Sequence, residues 1–307
     1  MTQARDILIT GPTATGKTKL ALMLARDLNA GIISADSIQV YRHVDILSAK
    51  PSVEERKIVP HLGIDIVEPT ENFSVVQWLK SINEGIHKQT QRWLIVGGSG
   101  LYVKAFLHGM DDLPISPPEL KKKWESVELK HAAAELQRRE PKLAAKLDLS
   151  NKRRVVRALI LLDMGIIPTQ RSFLCRSRDV FHIHLVRSAE DLHRRIRLRT
   201  QKMFDLGVVE EFRRLIDMGL SPQHTAWQAI GMKELSLYHE GLISLERTIE
   251  LITAKTWQFS RRQRTWFNSM KNKTVLIIDP AWDEMKTYKE VKKIICGFNF
   301  SQEFMRY

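Results

Sequence analysis

Cysteine is nearly absent: Cys175 and Cys296 are the only two in 307 residues. They lie far apart and without paired metal-ligand spacing, which excludes a disulfide framework and a zinc ribbon and leaves two unpaired thiols. Long apolar runs are also missing. No stretch approaches the roughly 20 residues of a membrane span, and no apolar leader precedes the first strand candidate. Both absences predict a cytoplasmic protein with no membrane partner. Acidic residues are in short supply, 35 against 48 Lys and Arg, for a net charge of +13. A surplus of that size predicts a polyanionic partner, nucleic acid before membrane, because no basic amphipathic tail or lipidation signal accompanies it. With 43% hydrophobic residues the chain has enough apolar side chain to bury a substantial core.

The most informative stretch present is Gly11-Pro12-Thr13-Ala14-Thr15-Gly16-Lys17-Thr18. It follows an apolar run and opens a helical pattern with Leu20, Ala21, Leu24, Ala25 and Leu28 on one face. A G-x-x-x-x-G-K-[ST] match in strand–loop–helix context is the P-loop, the nucleotide-binding motif of ATPases. Its glycines let backbone N–H groups turn inward, and the helix N-terminus adds partial positive charge. Lys17 then reaches an outer phosphate and the Thr18 hydroxyl is placed to hold Mg²⁺. The loop predicts a ligand with at least two phosphates.

Apolar runs alternating with helical periodicity predict an α/β fold, a P-loop NTPase-like parallel sheet flanked by helices. Strands are expected at 7–10, 31–34, 63–67, 93–96, 181–186 and 275–278. Helices are expected at 17–28, 74–89 (with Ser74 as cap), 101–107, 191–206, 208–218 and 245–267. Pro114, Pro117 and Pro118 break the pattern, and 119–163 reads as helical throughout with recurring Lys and Arg. The chain therefore divides into a catalytic core, 1–113 and 175–307, and an inserted all-helical domain, 114–174.

Where an ATPase would end a second strand in an acid, 93–96 runs instead into Gly97-Gly98-Ser99-Gly100-Leu101-Tyr102. Two glycine-rich turns facing one site suit a diphosphate held from both sides better than nucleotide hydrolysis. The acid sits elsewhere. Asp36 lies just past a strand end, where it can coordinate Mg²⁺, accept a proton or cap the next helix. Ser37 and Gln39 beside it offer donors and acceptors suited to a base edge. Arg261, Arg262 and Arg264 interleave with Trp257, Trp266 and Phe267, as on a nucleic-acid surface.

These motifs together resemble the tRNA dimethylallyltransferase family. The resemblance is carried by the P-loop, by Ile33-Ser34-Ala35-Asp36-Ser37-Ile38-Gln39-Val40-Tyr41, by Ala49-Lys50-Pro51 and by the 97–102 turn. Arg153-Arg154-Val155-Val156-Arg157-Ala158-Leu159, Ala229-Ile230-Gly231 and Arg262-Gln263-Arg264-Thr265-Trp266-Phe267 complete it, in family order.

The resemblance implies a Mg²⁺-dependent prenyltransferase that moves a dimethylallyl group from dimethylallyl diphosphate to N6 of adenosine 37, beside the tRNA anticodon. It implies catalytic roles for Asp36 (general base), Ser99 and Arg199. Diphosphate binding falls to Gly11, Thr13, Ala14, Thr15, Gly16, Lys17 and Thr18, with Thr18 as the metal ligand. Contacts to the anticodon stem-loop fall to Asp36, Ser37, Ile38, Gln39, Ser99, Lys121, Arg153, Arg154, Arg157, Gln228, Gly231, Lys233, Arg261, Arg262, Gln263 and Trp266. One RNA at a time suits a monomer. Ser99 stands where the family usually has threonine, Ile160 where it has glutamate and Met232 where tyrosine is frequent. No Cys/His tail follows Asp279, as in the shorter bacterial form.

Rival readings are an adenylate isopentenyltransferase acting on free AMP, ADP or ATP, a P-loop kinase or RNA-dependent NTPase, and an RNA-binding protein with a degenerate P-loop. The net charge argues against the first, the 97–101 turn against the second, and intact Lys17, Thr18 and Asp36 against the third.

Overall fold

The computed structural model describes residues 6–88, 92–110, 113–167 and 178–304, with the backbone alone over 298–304. Cys175, Asp111, Asp112, Gln89 and the expected 174/175 boundary lie outside the described residues. The chain forms two compact units, 1–108 with 177–307 and 109–176.

The larger unit opens with β1 (Asp6–Thr10), α1 (Lys17–Asp27), β2 (Gly31–Ala35), α2 (Val53–Ile58) and β3 (His61–Leu62). There follow α3 (Val75–His87), β4 (Trp93–Gly97) and α4 (Gly100–His108). The smaller unit is α5 (Pro118–Ser126), α6 (Leu129–Arg139), α7 (Pro141–Ala144) and α8 (Lys152–Asp163). The larger unit resumes with β5 (Val180–Val186), α9 (Ala189–Asp205), α10 (Val208–Asp217) and a 3-10 turn, Thr225–Gln228. It ends with α11 (Met232–His239), α12 (Leu245–Asn268), β6 (Thr274–Ile277) and α13 (Glu284–Phe304).

The six strands form one sheet in the order β3-β2-β4-β1-β5-β6, and every pairing is parallel. Parallel strands covered on both faces read as continuous apolar runs, and β2 and β4 are buried at all their positions. On one face Ile7, Ile9, Ile32, Leu94, Ile183 and Leu185 pack against Leu20, Ala21 and Leu24 of α1 and Val291 and Ile295 of α13. On the other, Trp78 of α3 donates its indole N–H to Ser34 O at 3.2 Å, and Phe267 of α12 lies 5.6 Å from the His184 ring. Ser74 caps α3, accepting from Gln77 N.

One expected strand is misplaced. The edge strand beside β2 is His61–Leu62, with Ile32 opposite His61 and Ile33 opposite Leu62, and not 63–67. Gly63 turns the chain out at φ +84°, where a Cβ would stand 2.5 Å from Ser34 O. The apolar residues beyond it form a loop whose amides bond back to Gln39 O and Val40 O. A polar histidine hid the true strand. The helices α2, α11 and α13 also escape the sequence reading.

The smaller unit buries Trp124, Ala132, Leu136, Val155 and Leu159 among its four helices. Asp163 ties α8 to α5 and α6: it accepts from Lys123 at 2.8 Å, Trp124 Nε1 at 2.8 Å and Arg139 at 2.6 Å. Burial works against its charge, yet those three donors hold its carboxyl down to about 2.

Candidate active site

The P-loop forms at the carboxyl end of β1, the central strand. Gly11 is required by close approach, since a Cβ there would lie 2.7 Å from Leu185 O. Ala14 (φ 64°) and Gly16 (φ 97°) adopt left-handed backbone, which curls the loop. Gly16 caps α1 with no side-chain partner, so the first-turn amides stay open to an anion. Lys17 folds back, donating to Pro12 O at 2.7 Å. Burial and the neighbouring Arg199 push its ammonium down to about 7, against the pull of Asp36. Thr18 is exposed on the first turn of α1.

Three arginines grip this loop, one from the link after β5 and two from α9. Arg199 donates to Thr13 Oγ1 at 3.0 Å, Arg195 to Ala14 O at 2.8 Å and Arg187 to Thr15 O at 3.2 Å. Asp191 accepts from Arg187 at 2.7 Å and from Arg194 at 2.7 Å. Burial lowers Arg199 below its ordinary range while Asp36 raises it. From this helix the sequence assigns a role to Arg199 alone. The signal for the others was there: Asp191, Arg195 and Arg199 recur every fourth residue on one face of α9, and Arg187 stands four residues ahead of them in the link from β5.

The second glycine-rich turn joins β4 to α4 and sits under α12. A Cβ on Gly98 would lie 2.3 Å from Gln263 Nε2, and one on Gly100 2.1 Å from Trp266 Nε1. Gln263 joins the two turns, accepting from Thr13 N at 2.8 Å and donating to Gly98 O at 2.9 Å. Ser99 donates its backbone amide to Ala35 O at 3.3 Å and stays partly exposed.

Asp36 follows β2 directly. No helix follows it, so the helix-cap alternative drops out: Oδ1 closes a turn, accepting from Ile38 N at 2.8 Å and Gln39 N at 3.4 Å. Among the described residues no donor reaches Oδ2. Ser37 and Ile38 are partly exposed. Gln39 is committed inward: its oxygen accepts from Ser34 Oγ at 2.7 Å and its nitrogen donates to Ser48 O and Ala49 O at 3.4 Å. Tyr102 is buried close enough to feel the Asp36 charge, and burial first, then Tyr41 and Asp36, raises its hydroxyl.

Of the residues expected to meet RNA, Arg261, Arg262, Gln228 and Lys233 are exposed on the larger unit. Trp266 remains 38% exposed, enough of its ring to stack on. Gly231 is a packing position: it is buried at φ +109°, and a Cβ would come 2.7 Å from Leu47 Cδ1. On the smaller unit Lys121, Arg153 and Arg154 are exposed. Arg157 is committed, donating to Ser116 Oγ and Pro114 O at 2.6 Å.

A parallel sheet with a P-loop at its crevice, a second glycine turn where a hydrolase would carry an acid, and a carboxylate with one oxygen unpartnered among the described residues are the features of a transferase on a P-loop-like fold. The comparisons agree. The model described as IPP transferase matches residues 39–270, and one described as isopentenyl transferase matches 5–62. The tRNA dimethylallyltransferase of Sulfurihydrogenibium sp. (strain YO3AOP1) is 38% identical over 276 residues, 87% of this chain and 89% of that protein. The crystal structure of the full-length tRNA isopentenylpyrophosphate transferase of Bacillus halodurans matches with TM-score 0.67 and 31% identity, covering 99% of this chain and 100% of that one. That of the Staphylococcus epidermidis tRNA delta(2)-isopentenylpyrophosphate transferase matches with TM-score 0.66 and 29% identity, covering 95% and 99%. The chain belongs to the tRNA dimethylallyltransferase family.

Proposed function

We propose that the protein transfers the dimethylallyl group of dimethylallyl diphosphate to N6 of adenosine 37 in tRNA. The observation that carries this is that Asp36 after β2, the second glycine turn after β4 and the P-loop after β1 leave one edge of three adjacent parallel strands. The N6 lone pair attacks the allylic C1, the C1–O bond breaks, and its electron pair leaves on diphosphate. The N6 proton passes to Asp36, whose Oδ2 meets no donor among the described residues. Lys17, Arg199, Thr13 and the loop amides take up the charge that grows on the leaving group. Ser99, at the mouth of the second turn, contacts the reacting groups from the other side. The adenine must leave the anticodon-loop stack to reach this depth.

Mg²⁺ fits this donor set. The Thr18 hydroxyl is exposed on the first turn of α1, a hard oxygen donor of the kind Mg²⁺ takes alongside substrate phosphate and water. Thr18 would hold it, and when bound it neutralises phosphate charge.

The exposed bases on α5 and α8, with those on α11 and α12, are assigned to the anticodon stem-loop, and 114–174 to the clamp domain. A monomer in the cytoplasm serves one RNA at a time. Free adenylate needs no such cationic surface, and the similar proteins above are named for tRNA. The test supplies Mg²⁺ and dimethylallyl diphosphate with unmodified tRNA bearing A36-A37-A38, or with AMP, ADP and ATP, and reads nucleosides by mass spectrometry. Isopentenyladenosine from tRNA alone is expected; product from free nucleotides overturns the tRNA assignment.

A further inference from the structure

Glu211 is buried, 2% exposed, and lies outside the chemistry described above, on which this inference rests. Its carboxylate accepts three consecutive backbone amides: Asp45 N at 2.9 Å and Ile46 N at 2.7 Å on Oε2, and Leu47 N at 3.0 Å on Oε1. The next two carbonyls, Ser48 O and Ala49 O, hold the Gln39 amide. Gln39 N, with Ile38 N, fixes Asp36 Oδ1. A continuous polar route thus runs from α10 to the proposed base. Its far end is tied too, since Lys50 Nζ donates to Tyr41 O at 2.8 Å and to Asp45 and Asp65 at 2.6 Å.

The other end matters as much. Only Leu206 and Gly207 (φ +90°) separate α10 from α9, the helix whose Arg195 and Arg199 hold the P-loop. One helical pair therefore grips both halves of the reaction: arginines on the diphosphate cradle, a glutamate on the loop that carries the carboxylate. Transfer requires the amine, the allylic carbon and the leaving oxygen in line, and displacement by about 1 Å can cost about 10²-fold in rate.

We propose that Glu211 is a positioning residue, which locks the 45–47 turn and so sets the aim of Asp36 relative to the diphosphate cradle. Chemistry demands a carboxylate here. Three N–H donors need acceptors, and Glu211→Gln turns one of the two oxygens into a donor facing amides. A merely structural anchor would cost stability and leave the folded enzyme's turnover alone.

The test compares wild type with Glu211→Gln at a temperature where both are folded. Hydrogen exchange is expected to rise about tenfold or more in peptides covering 36–50, with 11–18 unchanged. Turnover falls about 10²-fold, while affinity for dimethylallyl diphosphate stays within about twofold. Adding Gln39→Met, which breaks the same route, gives a non-additive effect on turnover. Should Glu211→Gln not fold, Glu211→Asp, which keeps the charge on a shorter arm, carries the same readouts with a smaller loss. Wild-type turnover in the folded variant, loss of diphosphate affinity in step with turnover, additivity, or unaltered exchange in 36–50 would each overturn the proposal. An inactive wild type counts against the prenyl-transfer reading instead, and the exchange data still decide the role of Glu211.

Discussion

Gln263 Oε1 accepts the backbone amide of Thr13 at 2.8 Å, across 250 residues of chain. With its nitrogen on Gly98 O, this one side chain sets the spacing of the two glycine-rich turns. Gln263→Leu removes both bonds and strands a half-buried donor, Thr13 N, and a buried acceptor, Gly98 O. The expected loss is about 1–3 kcal/mol of stability, read by urea unfolding. A rise in KM for dimethylallyl diphosphate should accompany it, as the P-loop loses its registration.

Lys17 ionises near 7 in the ligand-free protein, lowered first by burial and then by Arg199. Between pH 7 and the ordinary lysine value the unfolded chain binds the extra proton, so stability rises with pH across that window. Below pH 7 the full cost of the buried charge is present. Diphosphate reverses the balance by supplying a counter-charge. Binding at pH 8 should therefore take up close to one proton, measured by titration calorimetry in buffers of different ionisation enthalpy, and Lys17→Met should abolish the uptake. Zero uptake in the wild type would mean that Lys17 is already charged.

In the proposed reaction Asp36 offers Oδ2 to the acceptor amine while Oδ1 holds its own turn. Asp36→Asn keeps that turn and removes the base. Single-turnover transfer should drop by about 10²–10⁴-fold, with tRNA affinity by filter binding nearly intact. Equal losses in rate and affinity would place Asp36 in binding.

The P-loop, β2 with Asp36 and the second glycine turn are legible because each is a local pattern, an apolar run ending in glycine or acid at fixed offsets. What the sequence conceals is what other elements bring. Nothing near Glu211 announces three amides 164 to 166 residues away, and Gln263 reads as part of a basic stripe until its two partners are seen. Gln39 and Gly231 sit in motifs matched to RNA contact, yet the first spends its amide on Ser34, Ser48 and Ala49 and the second gives room to Leu47. The strand His61–Leu62 is too short and too polar for periodicity to find.

Asp163 binds three helices of the smaller unit through Lys123, Trp124 and Arg139. Asp163→Ala leaves two cations and an indole N–H without their acceptor, and should destabilise that unit by about 2–4 kcal/mol. Exchange in peptides over 118–163 reads the effect. Its carboxyl is held at about 2, below the ordinary 3.8, so this contribution is fully present above pH 4 and lost as pH falls through 2. The variant should lack that acid limb.

Arg153 and Arg154 lie exposed in the first turns of α8, where two positive charges are unfavourable to the helix itself. Their placement gains a reason if phosphates supply the counter-charge. Arg153→Glu with Arg154→Glu should weaken tRNA binding and reduce the slope of log K against log salt by about one for each phosphate no longer neutralised. Helix stability should hold or rise, because acids suit an N-terminal turn. Affinity for dimethylallyl diphosphate, set by the P-loop in the other unit, should not move. Unchanged tRNA affinity and salt slope in a folded variant would remove α8 from the RNA-binding surface, leaving the exposed bases of α11 and α12 to carry it.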